Sequence, residues 1–289
     1  RRGWANGVIR PCHRISKKHE GLVRVRLLES GMGEVVADDL VPKDASGQRI
    51  VAGLFGVPHK PHSDWLIIDR RPMNPTERRV GWAELPHGSF LTQVYLRPNE
   101  CLRCSGDDLS NYFYLLRNPD GWQPRCAVGR ASLGEELPGF GLPAQQRFYL
   151  GMRGWAMGDH NSVCVAQEFH QAILRDAGGL TPDVRMTLSA PLPRSRTLQG
   201  VYIDDIVLSI QPKADALKKE GARDCALMAA SRQKYEELGL PRALEKAFDL
   251  ESHFTAWWTE ASSEAGTVAA PAPRRKNVFF LTCLALASG

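Results

Sequence analysis

The sequence predicts an α+β fold, and two observations carry this expectation. An apolar run over residues 200–208 is interrupted by two adjacent carboxylates, Asp204 and Asp205. Aliphatic, β-branched and aromatic residues on both sides of an acid pair are typical of two strands joined by a tight turn. A helix is predicted to begin near Ser162, because apolar residues then recur at helical spacing until Gly178.

The remaining elements follow from the same kinds of pattern. Alternating residues predict a strand over 21–28, and a short apolar run predicts another over 65–68. Proline and glycine predict loops and turns over 115–150. Beyond the acid pair, the patterns predict helices over 214–238 and 242–250, a strand or hairpin over 254–260, and a linker or disordered tail over 261–276.

Composition sets broad bounds on the function. The chain has 289 residues, of which 43% are hydrophobic and 24% charged, with a formal net charge of +5. That is globular composition, compatible with a polyanionic partner. Seven irregularly spaced cysteines predict a reducing compartment, and Cys101-x-x-Cys104 is interpreted as ordinary thiols. Since the most apolar stretch is short and no signal peptide is evident, we expect an intracellular protein, cytoplasmic or nuclear, without a membrane partner.

The acid pair is the strongest candidate functional feature. Two adjacent carboxylates are costly to bury unless a positive charge neutralises them, and a divalent cation with oxygen ligands is the usual choice. A second pair, Asp107 and Asp108, precedes an aromatic cluster and supplies acids from another part of the chain. The alternative is a solvated Asp-Asp turn on an ordinary hairpin.

Two further segments could bind phosphate. Arg70 and Arg71 follow the strand predicted over 65–68, and paired guanidiniums suit a phosphate, although surface solvation is the alternative. The glycine-containing loop before the helix at Ser162 could accept phosphate or a nucleic-acid backbone.

Taken in order, these segments resemble motifs of the reverse transcriptase family, the RNA-directed DNA polymerases of retroelements, over roughly residues 55–260. The segments are Asp69-Arg-Arg71-Pro-Met-Asn74, Asp107-Asp-Leu-Ser-Asn-Tyr112, Met157-Gly158-Asp-His-Asn-Ser162 with the later Gln167, Tyr202-Ile-Asp-Asp205, and Gly239-Leu-Pro-Arg-Ala-Leu-Glu-Lys246. Five short motifs in the order of the family are hard to obtain by chance.

The resemblance implies the fingers and palm of a right-hand polymerase, with an antiparallel palm sheet covered by helices on one face. The implied division is a basic N-terminal segment over 1–54, the fingers-palm domain over 55–260, and an unrelated or disordered tail over 261–289. The implied activity is addition of deoxynucleoside triphosphates to the 3′ end of a primer on an RNA or DNA template.

The implied metal ligands are Asp107, Asp204 and Asp205, holding two Mg²⁺ ions, with Mn²⁺ possible. Asp107 is preferred to Asp108 because the family places an aromatic residue five positions after its first acid, and that position is Tyr112. The ring of Tyr112 would exclude a 2′-hydroxyl, which favours deoxynucleotides.

The resemblance also implies nucleotide and primer contacts. Arg71 and Lys60 would bind the triphosphate, and Arg70 could assist. Lys246 could bind it or protonate the leaving group. The remaining implied contacts are Gly158 and Met157 for the nucleotide, and Tyr202, Gly158 and Trp257 for the primer or template. Trp258 stands where the family has a glycine.

Two alternatives stay open. No thumb, RNase H or integrase pattern is recognisable after residue 260, so the chain could be a truncated retroelement remnant that binds nucleic acid without catalysis. An RNA-directed RNA polymerase shares the double-Asp hairpin, but that class usually carries a carboxylate where this chain has Tyr112.

Overall fold

The computed structural model describes residues 9–60 and 63–288; the side chains of residues 59, 60, 63, 204–206, 285, 287 and 288 lie outside the description. The helices are α1 (Lys17–Glu29), α2 (Tyr112–Leu115), α3 (Ser162–Asp176), α4 (Arg223–Glu237) and α5 (Ala272–Ser288). The strands are β1 (Gly33–Ala37), β2 (Gly53–Lys60), β3 (Ser63–Asp69), β4 (Glu100–Asp107), β5 (Ala127–Leu133), β6 (Arg147–Met152), β7 (Thr197–Tyr202), β8 (Asp204–Pro212), β9 (Phe248–Glu251), β10 (His253–Ala256), β11 (Thr259–Ser262) and β12 (Thr267–Ala269).

Unit 1 comprises the described part of Arg1–Gly81 together with Asn111–Ala166. Its three-stranded antiparallel sheet has the order β1-β6-β5, and β2 and β3 form a separate antiparallel pair. The core joins Leu54 and Ile68 from the pair to Leu150 and Met152 from the sheet, with Leu27 of α1. Burying such aliphatic side chains is the main stabilising contribution to the unit.

Unit 2 comprises Trp82–Ser110 and the described part of Gln167–Gly289. Its four-stranded antiparallel sheet has the order β7-β8-β4-β9, and β10, β11 and β12 form a second antiparallel sheet. Leu102, Leu198 and Leu208 of the first sheet share a core with Phe254 and Ala261 of the second. Arg103 of β4 forms a buried bidentate ion pair with Asp224 of α4, and each of the two nitrogen–oxygen distances is 2.8 Å.

The predicted α+β class is confirmed, since helices occur with antiparallel sheets. The strand over 65–68, the helix from Ser162 and the hairpin over 254–260 are present. A hairpin is also present at the acid pair, but the prediction that the acids form its turn is wrong, because Ile203 is the turn residue and Asp204 and Asp205 begin β8. Gly178 follows α3 with a φ of +82°, a conformation that suits glycine at the end of a helix.

The strand predicted over residues 21–28 is wrong, because this segment lies in helix α1. Ser16 caps the helix by accepting a hydrogen bond from the backbone N–H of His19. The buried residues are Glu20, Arg24 and Leu27, which are spaced as one face of a helix. The apparent alternation of apolar residues therefore does not mark the buried face.

Four other local predictions are wrong in whole or in part. Strands β5 and β6 lie within or overlap the segment predicted as loops, and β12 and α5 occupy much of the predicted tail. The segment 242–250 is not helical, because β9 pairs with β4 and the Leu250 N–H donates to Ser105 Oγ at 3.0 Å. The helix predicted from residue 214 begins at Arg223, after Gly221 at a φ of +69°.

Candidate functional site

The hairpin of β7 and β8 brings the two acid pairs to one end of the four-stranded sheet. Ile203 is the turn residue, with Tyr202 paired to Asp204 across it. On the other side of β8, Asp205 is paired with Asp107 of β4. Predictions concerning the carboxylates of Asp204 and Asp205 fall on side chains outside the described residues. The backbone register nevertheless places Asp205 opposite Asp107, with Asp204 one residue nearer the turn.

The turn itself is held in an uncommon conformation. Ile203 has a φ of +68°, which is unfavourable for a β-branched residue. The buried side chain of Gln167 on α3 contacts the backbone on both sides: its Nε2 donates to Val201 O at 2.6 Å, and its Oε1 accepts from the Ile203 N–H at 3.0 Å. These bonds stabilise a turn geometry that the sequence of the turn does not favour.

Asp107 is buried beneath two guanidiniums. Arg232 Nε donates to its Oδ2 at 2.7 Å, and Arg242 donates to its Oδ1 through Nε at 2.9 Å and Nη2 at 2.7 Å. The Asp107 side chain is 1% exposed. Burial opposes charge on Arg232, but hydrogen bonds to Asp249 and Asp107 outweigh it and raise the pKa of Arg232. Both oxygens of this carboxylate are therefore already neutralised by the protein.

Asp108 has different surroundings. Its side chain is 18% exposed, and its Oδ2 contacts the ammonium of Lys246, a residue that is 64% exposed on its side chain. A cavity of about 430 Å³ opens beside it. The residues that line this cavity include Asp107, Asp108, Tyr202, Lys246, Trp257 and Trp258. The sequence-predicted residues of unit 2 whose side chains are described thus surround one cavity.

The hairpin of β10 and β11 forms one wall of the cavity. Its turn residues, Trp257 and Trp258, have φ values of +46° and +64°, a region that favours glycine. A Cβ on Gly200 would lie 2.4 Å from the ring of Trp257, so glycine at position 200 permits this packing. Trp258 is 63% exposed, and the guanidinium of Arg274 lies 4.0 Å from its ring centroid.

Unit 1 holds Arg71 and Gly158 beside a second cavity, of about 360 Å³, which Asp69 also lines. Arg71 is 59% exposed on its side chain and forms a 2.6 Å ion pair with Asp69. This hydrogen bonding, with a further bond from the Cys12 N–H, lowers the pKa of Asp69 to about 2 against the opposing effect of burial. A Cβ on Gly158 would lie 2.1 Å from Ile68 O, so this glycine allows close approach to β3.

Arg70 is not available to a phosphate, which corrects its suggested assisting role. Its buried guanidinium lies 2.7 Å from Glu77 and 3.0 Å from Asp159. Among the described side chains, Glu77, Asp159 and His160 could offer metal-ligand atoms within 4.8 Å of one another. Since Arg70 already neutralises the two carboxylates, we interpret this group as a structural ion network.

Two other predicted residues of unit 1, Tyr112 and Met157, do not line the cavity beside Arg71. Tyr112 is buried, and its hydroxyl donates to Ala166 O at 3.2 Å. Burial raises the pKa of Tyr112. Met157 is half-buried, and the side chain of Lys60 lies outside the described residues. Tyr112 as a nucleotide contact therefore stays a prediction.

Neither cysteine of Cys101-x-x-Cys104 is in a disulfide, and both are free thiols. Within the described chain, no helix combines the length and the apolar character needed to cross a membrane.

Comparison with solved structures gives the class of fold. The foamy viral protease-reverse transcriptase dRH with double-stranded DNA matches at a TM-score of 0.55 and 17% identity, over 95% of this chain and 39% of that one. The reverse transcriptase-like fold is shown. The foamy viral protease-reverse transcriptase in complex with double-stranded DNA matches at a TM-score of 0.55 and 18% identity, over 95% of this chain and 47% of that one. The same kind of protein in complex with an RNA/DNA hybrid matches at a TM-score of 0.54 and 18% identity, over 94% of this chain and 30% of that one.

The chain therefore spans less than half the length of these reverse transcriptases. No family model matches the sequence, and no curated protein matches it.

Several residues of this reverse transcriptase-like fold have roles that sequence reasoning missed. Arg232 and Arg242 form ion pairs with Asp107. His170 is hydrogen-bonded to the turn residue Ile203 and to Tyr235. Arg242 belongs to the Gly239–Lys246 motif, but nothing in its spacing links it to Asp107. Such contacts join positions more than 30 residues apart, so a local pattern carries no signal for them.

Proposed function

We propose that this chain is the fingers-palm region of a retroelement RNA-directed DNA polymerase, a nucleotidyltransferase that extends a primer with deoxynucleotides. The register between β4 and β8 carries the proposal, because it sets Asp107 opposite Asp205 in a reverse transcriptase-like fold. In this proposal the four-stranded sheet of unit 2 is the palm sheet. Unit 1 contributes the fingers.

The acids fit divalent cations by their chemistry. Carboxylates from two adjacent strands offer the oxygen ligands that Mg²⁺ and Mn²⁺ prefer. Asp204 and Asp205 would hold the metal together with one acid of the Asp107–Asp108 pair. Metal ions in such a site would supply charge neutralisation for the attacking and leaving oxygens of a phosphoryl transfer.

The structure gives reasons to weigh Asp108 against Asp107 as the third acid. A cation would have to displace two partly buried arginines from Asp107, whereas at Asp108 it would displace one exposed lysine. Separating an exposed ion pair costs about 0–1 kcal/mol, whereas removing one partner of a buried pair costs about 3–5 kcal/mol. We therefore propose Asp108 as the ligand, with Asp107, the residue favoured by the sequence, as the alternative.

The choice of acid changes the residue assigned to sugar selection. Five positions after Asp108 is Phe113, which is half-buried, while Tyr112 stands five positions after Asp107 and is buried. A ring that contacts a substrate must have an exposed face, which supports Phe113 with Asp108. Either ring would exclude the 2′-hydroxyl and favour deoxynucleotides.

The other assignments of unit 1 and unit 2 remain part of the proposal. Arg71 and Lys60 would bind the triphosphate, with Gly158 and Met157 beside the base. Lys246 would bind the triphosphate or protonate the pyrophosphate.

Tyr202 and Trp257 would contact the primer or the template. The similar solved structures are complexes with double-stranded DNA and with an RNA/DNA hybrid, which supports a nucleic-acid partner.

Primer extension tests the proposal. The full chain is incubated with a primed RNA template, Mg²⁺ and either deoxyribonucleotides or ribonucleotides, in parallel with four variants: Asp204→Asn with Asp205→Asn, Asp107→Asn, Asp108→Asn and the matched surface control Asp120→Asn. We expect extension with deoxynucleotides by the wild type and the control, and none by the double variant or Asp108→Asn. Extension that survives in the double variant would refute the site.

A second candidate function is nucleic-acid binding without catalysis. The two arginines on Asp107 favour it in the case where Asp107, and not Asp108, is the third acid, because both oxygens of Asp107 are already bound by guanidiniums. Binding of a primed template without any Mg²⁺-dependent incorporation would support this candidate. Preferred incorporation of ribonucleotides would instead support an RNA-directed RNA polymerase.

A further inference from the structure

A buried histidine contacts the acid hairpin from the side of the helices. His170 lies on the part of α3 that belongs to unit 2, and its side chain is fully buried. Its Nδ1 lies 2.5 Å from the carbonyl oxygen of Ile203, and its Nε2 lies 2.7 Å from the hydroxyl of Tyr235 on α4. The imidazole therefore connects the turn between β7 and β8 to two helices.

The partners determine which tautomer of His170 is present. A carbonyl oxygen only accepts hydrogen bonds, so Nδ1 carries the proton and donates it to Ile203 O. In a neutral ring Nε2 is then the acceptor, and the hydroxyl of Tyr235 donates to it. Burial lowers the pKa of His170 to about 4 despite the opposing effect of the bond to Ile203, which agrees with a neutral ring.

The turn has a physical need for this contact. Ile203 has its φ at +68°, and such a conformation persists only where the surrounding structure fixes it. Gln167 already binds the Ile203 N–H. The bond from His170 satisfies the carbonyl of the same residue. Both polar backbone groups of the strained residue are thus held by side chains of α3.

We propose that His170 and Tyr235 are positioning residues, which fix the Ile203 turn and thereby the placement of Asp204 and Asp205 relative to β4. His170 acts on the turn directly. Tyr235 acts through His170 by holding it in the tautomer that donates to the turn. The proposal rests on the proposed polymerase function, because that function assigns the acids after the turn as metal ligands.

Two substitutions at position 170 separate positioning from packing. The amide nitrogen of asparagine can take the place of Nδ1 and donate to Ile203 O, whereas the amide of glutamine reaches the place of Nε2, beside Tyr235. Neither fills the volume of the ring, so we expect His170→Asn and His170→Gln to lower the thermal midpoint by similar amounts.

In primer extension we expect His170→Gln to lower kcat on the order of tenfold. The KM for the deoxynucleotide should stay within about twofold of the wild-type value, because the substrate contacts are not changed. His170→Asn should retain kcat within about threefold of the wild type. Tyr235→Phe should give an intermediate loss, because the donor to Ile203 remains while the tautomer is no longer fixed. Equal losses in the asparagine and glutamine variants would overturn the positioning role.

Hydrogen exchange tests the same inference without relying on activity. Amides of the hairpin over residues 198–210 should exchange on the order of tenfold faster in His170→Gln than in the wild type. In His170→Asn they should exchange close to the wild-type rate. If the wild type extends no primer, the proposed function fails, and the exchange rates still decide the role of His170. Equal hairpin exchange in all three proteins would overturn the inference.

Discussion

Asp107 and Asp108 are neighbours in the chain, and we expect their replacement by asparagine to have very different effects on stability. Asp107→Asn keeps the shape of the side chain and removes its charge, leaving Arg232 and Arg242 facing a neutral amide. Three charge-assisted hydrogen bonds, of 2.7 to 2.9 Å, depend on this carboxylate. Asp108→Asn removes a single contact to the exposed Lys246.

The magnitudes follow from burial. Removing one partner of a fully buried ion pair costs about 3–5 kcal/mol, because the other charge is left uncompensated. The side chains of Arg232 and Arg242 are 23% and 17% exposed, so water partly compensates them. We therefore expect Asp107→Asn to lower the free energy of unfolding by about 3 kcal/mol, at the low end of that range. For Asp108→Asn we expect less than about 1 kcal/mol.

Urea unfolding followed by tryptophan fluorescence measures both variants under the same conditions, and Asp120→Asn serves as the surface control. With a slope of about 2 kcal/mol per molar urea, the expected shift of the midpoint is about 1.5 M for Asp107→Asn. Equal midpoints for the Asp107 and Asp108 variants would refute the reasoning, since they would show that the two arginines do not depend on Asp107. High salt should leave the difference largely intact, because buried pairs are weakly screened.

Three more predictions follow from other contacts. The pKa of His170 is about 4 in the folded protein and about 6.5 when unfolded. Between pH 6.5 and 4, the imidazole is therefore protonated in the unfolded state and neutral in the folded state. Stability should therefore fall by about 3 kcal/mol as pH decreases from 6.5 to 4, and urea midpoints measured against pH should show that His170→Asn lacks this part of the decrease. Gly158→Ala should lower the thermal midpoint because its Cβ would lie 2.1 Å from Ile68 O, while Gly81→Ala, with no atom within 4 Å, should not. Arg103→Gln should lower the free energy of unfolding in urea by about 3–5 kcal/mol, because it leaves the buried carboxylate of Asp224 unpaired. Adding Asp224→Leu to this variant should recover part of the loss.

Local sequence patterns predicted helices and strands correctly where the buried positions of the element are also its apolar positions. The hairpin of β7 and β8 was predictable because its strands are apolar on both sides of the acids. Helix α1 was not, because its buried face includes Glu20, which forms an ion pair with Arg130, and Arg24, which donates hydrogen bonds to the Ser132 hydroxyl and to Arg130 O. A polar residue that is buried against a distant partner has no signature in its own segment.

The predictions for residues 242–250 and for strand β5 were wrong for a related reason. The segment 242–250 has a helical pattern, yet Arg242 is bonded to Asp107 and the following residues pair with β4. Pairing with a strand more than 100 positions away overrides a weak local preference. Strand β5 was likewise not predicted, because its segment is rich in glycine and proline. It pairs with β6, which begins only at Arg147, so its own residues do not show the pairing.

The sequence by itself determined that two acid pairs exist, that one of them belongs to a hairpin, and that the helix from Ser162 precedes this hairpin. These are properties of contiguous residues, and the physical rules that relate them to structure are local. Only the tertiary structure decided that Asp107 is bound by Arg232 and Arg242 while Asp108 lines a cavity, and that His170 supports the turn. Charges and hydrogen bonds act through space, so the surroundings of an acid depend on which distant segments the fold places beside it.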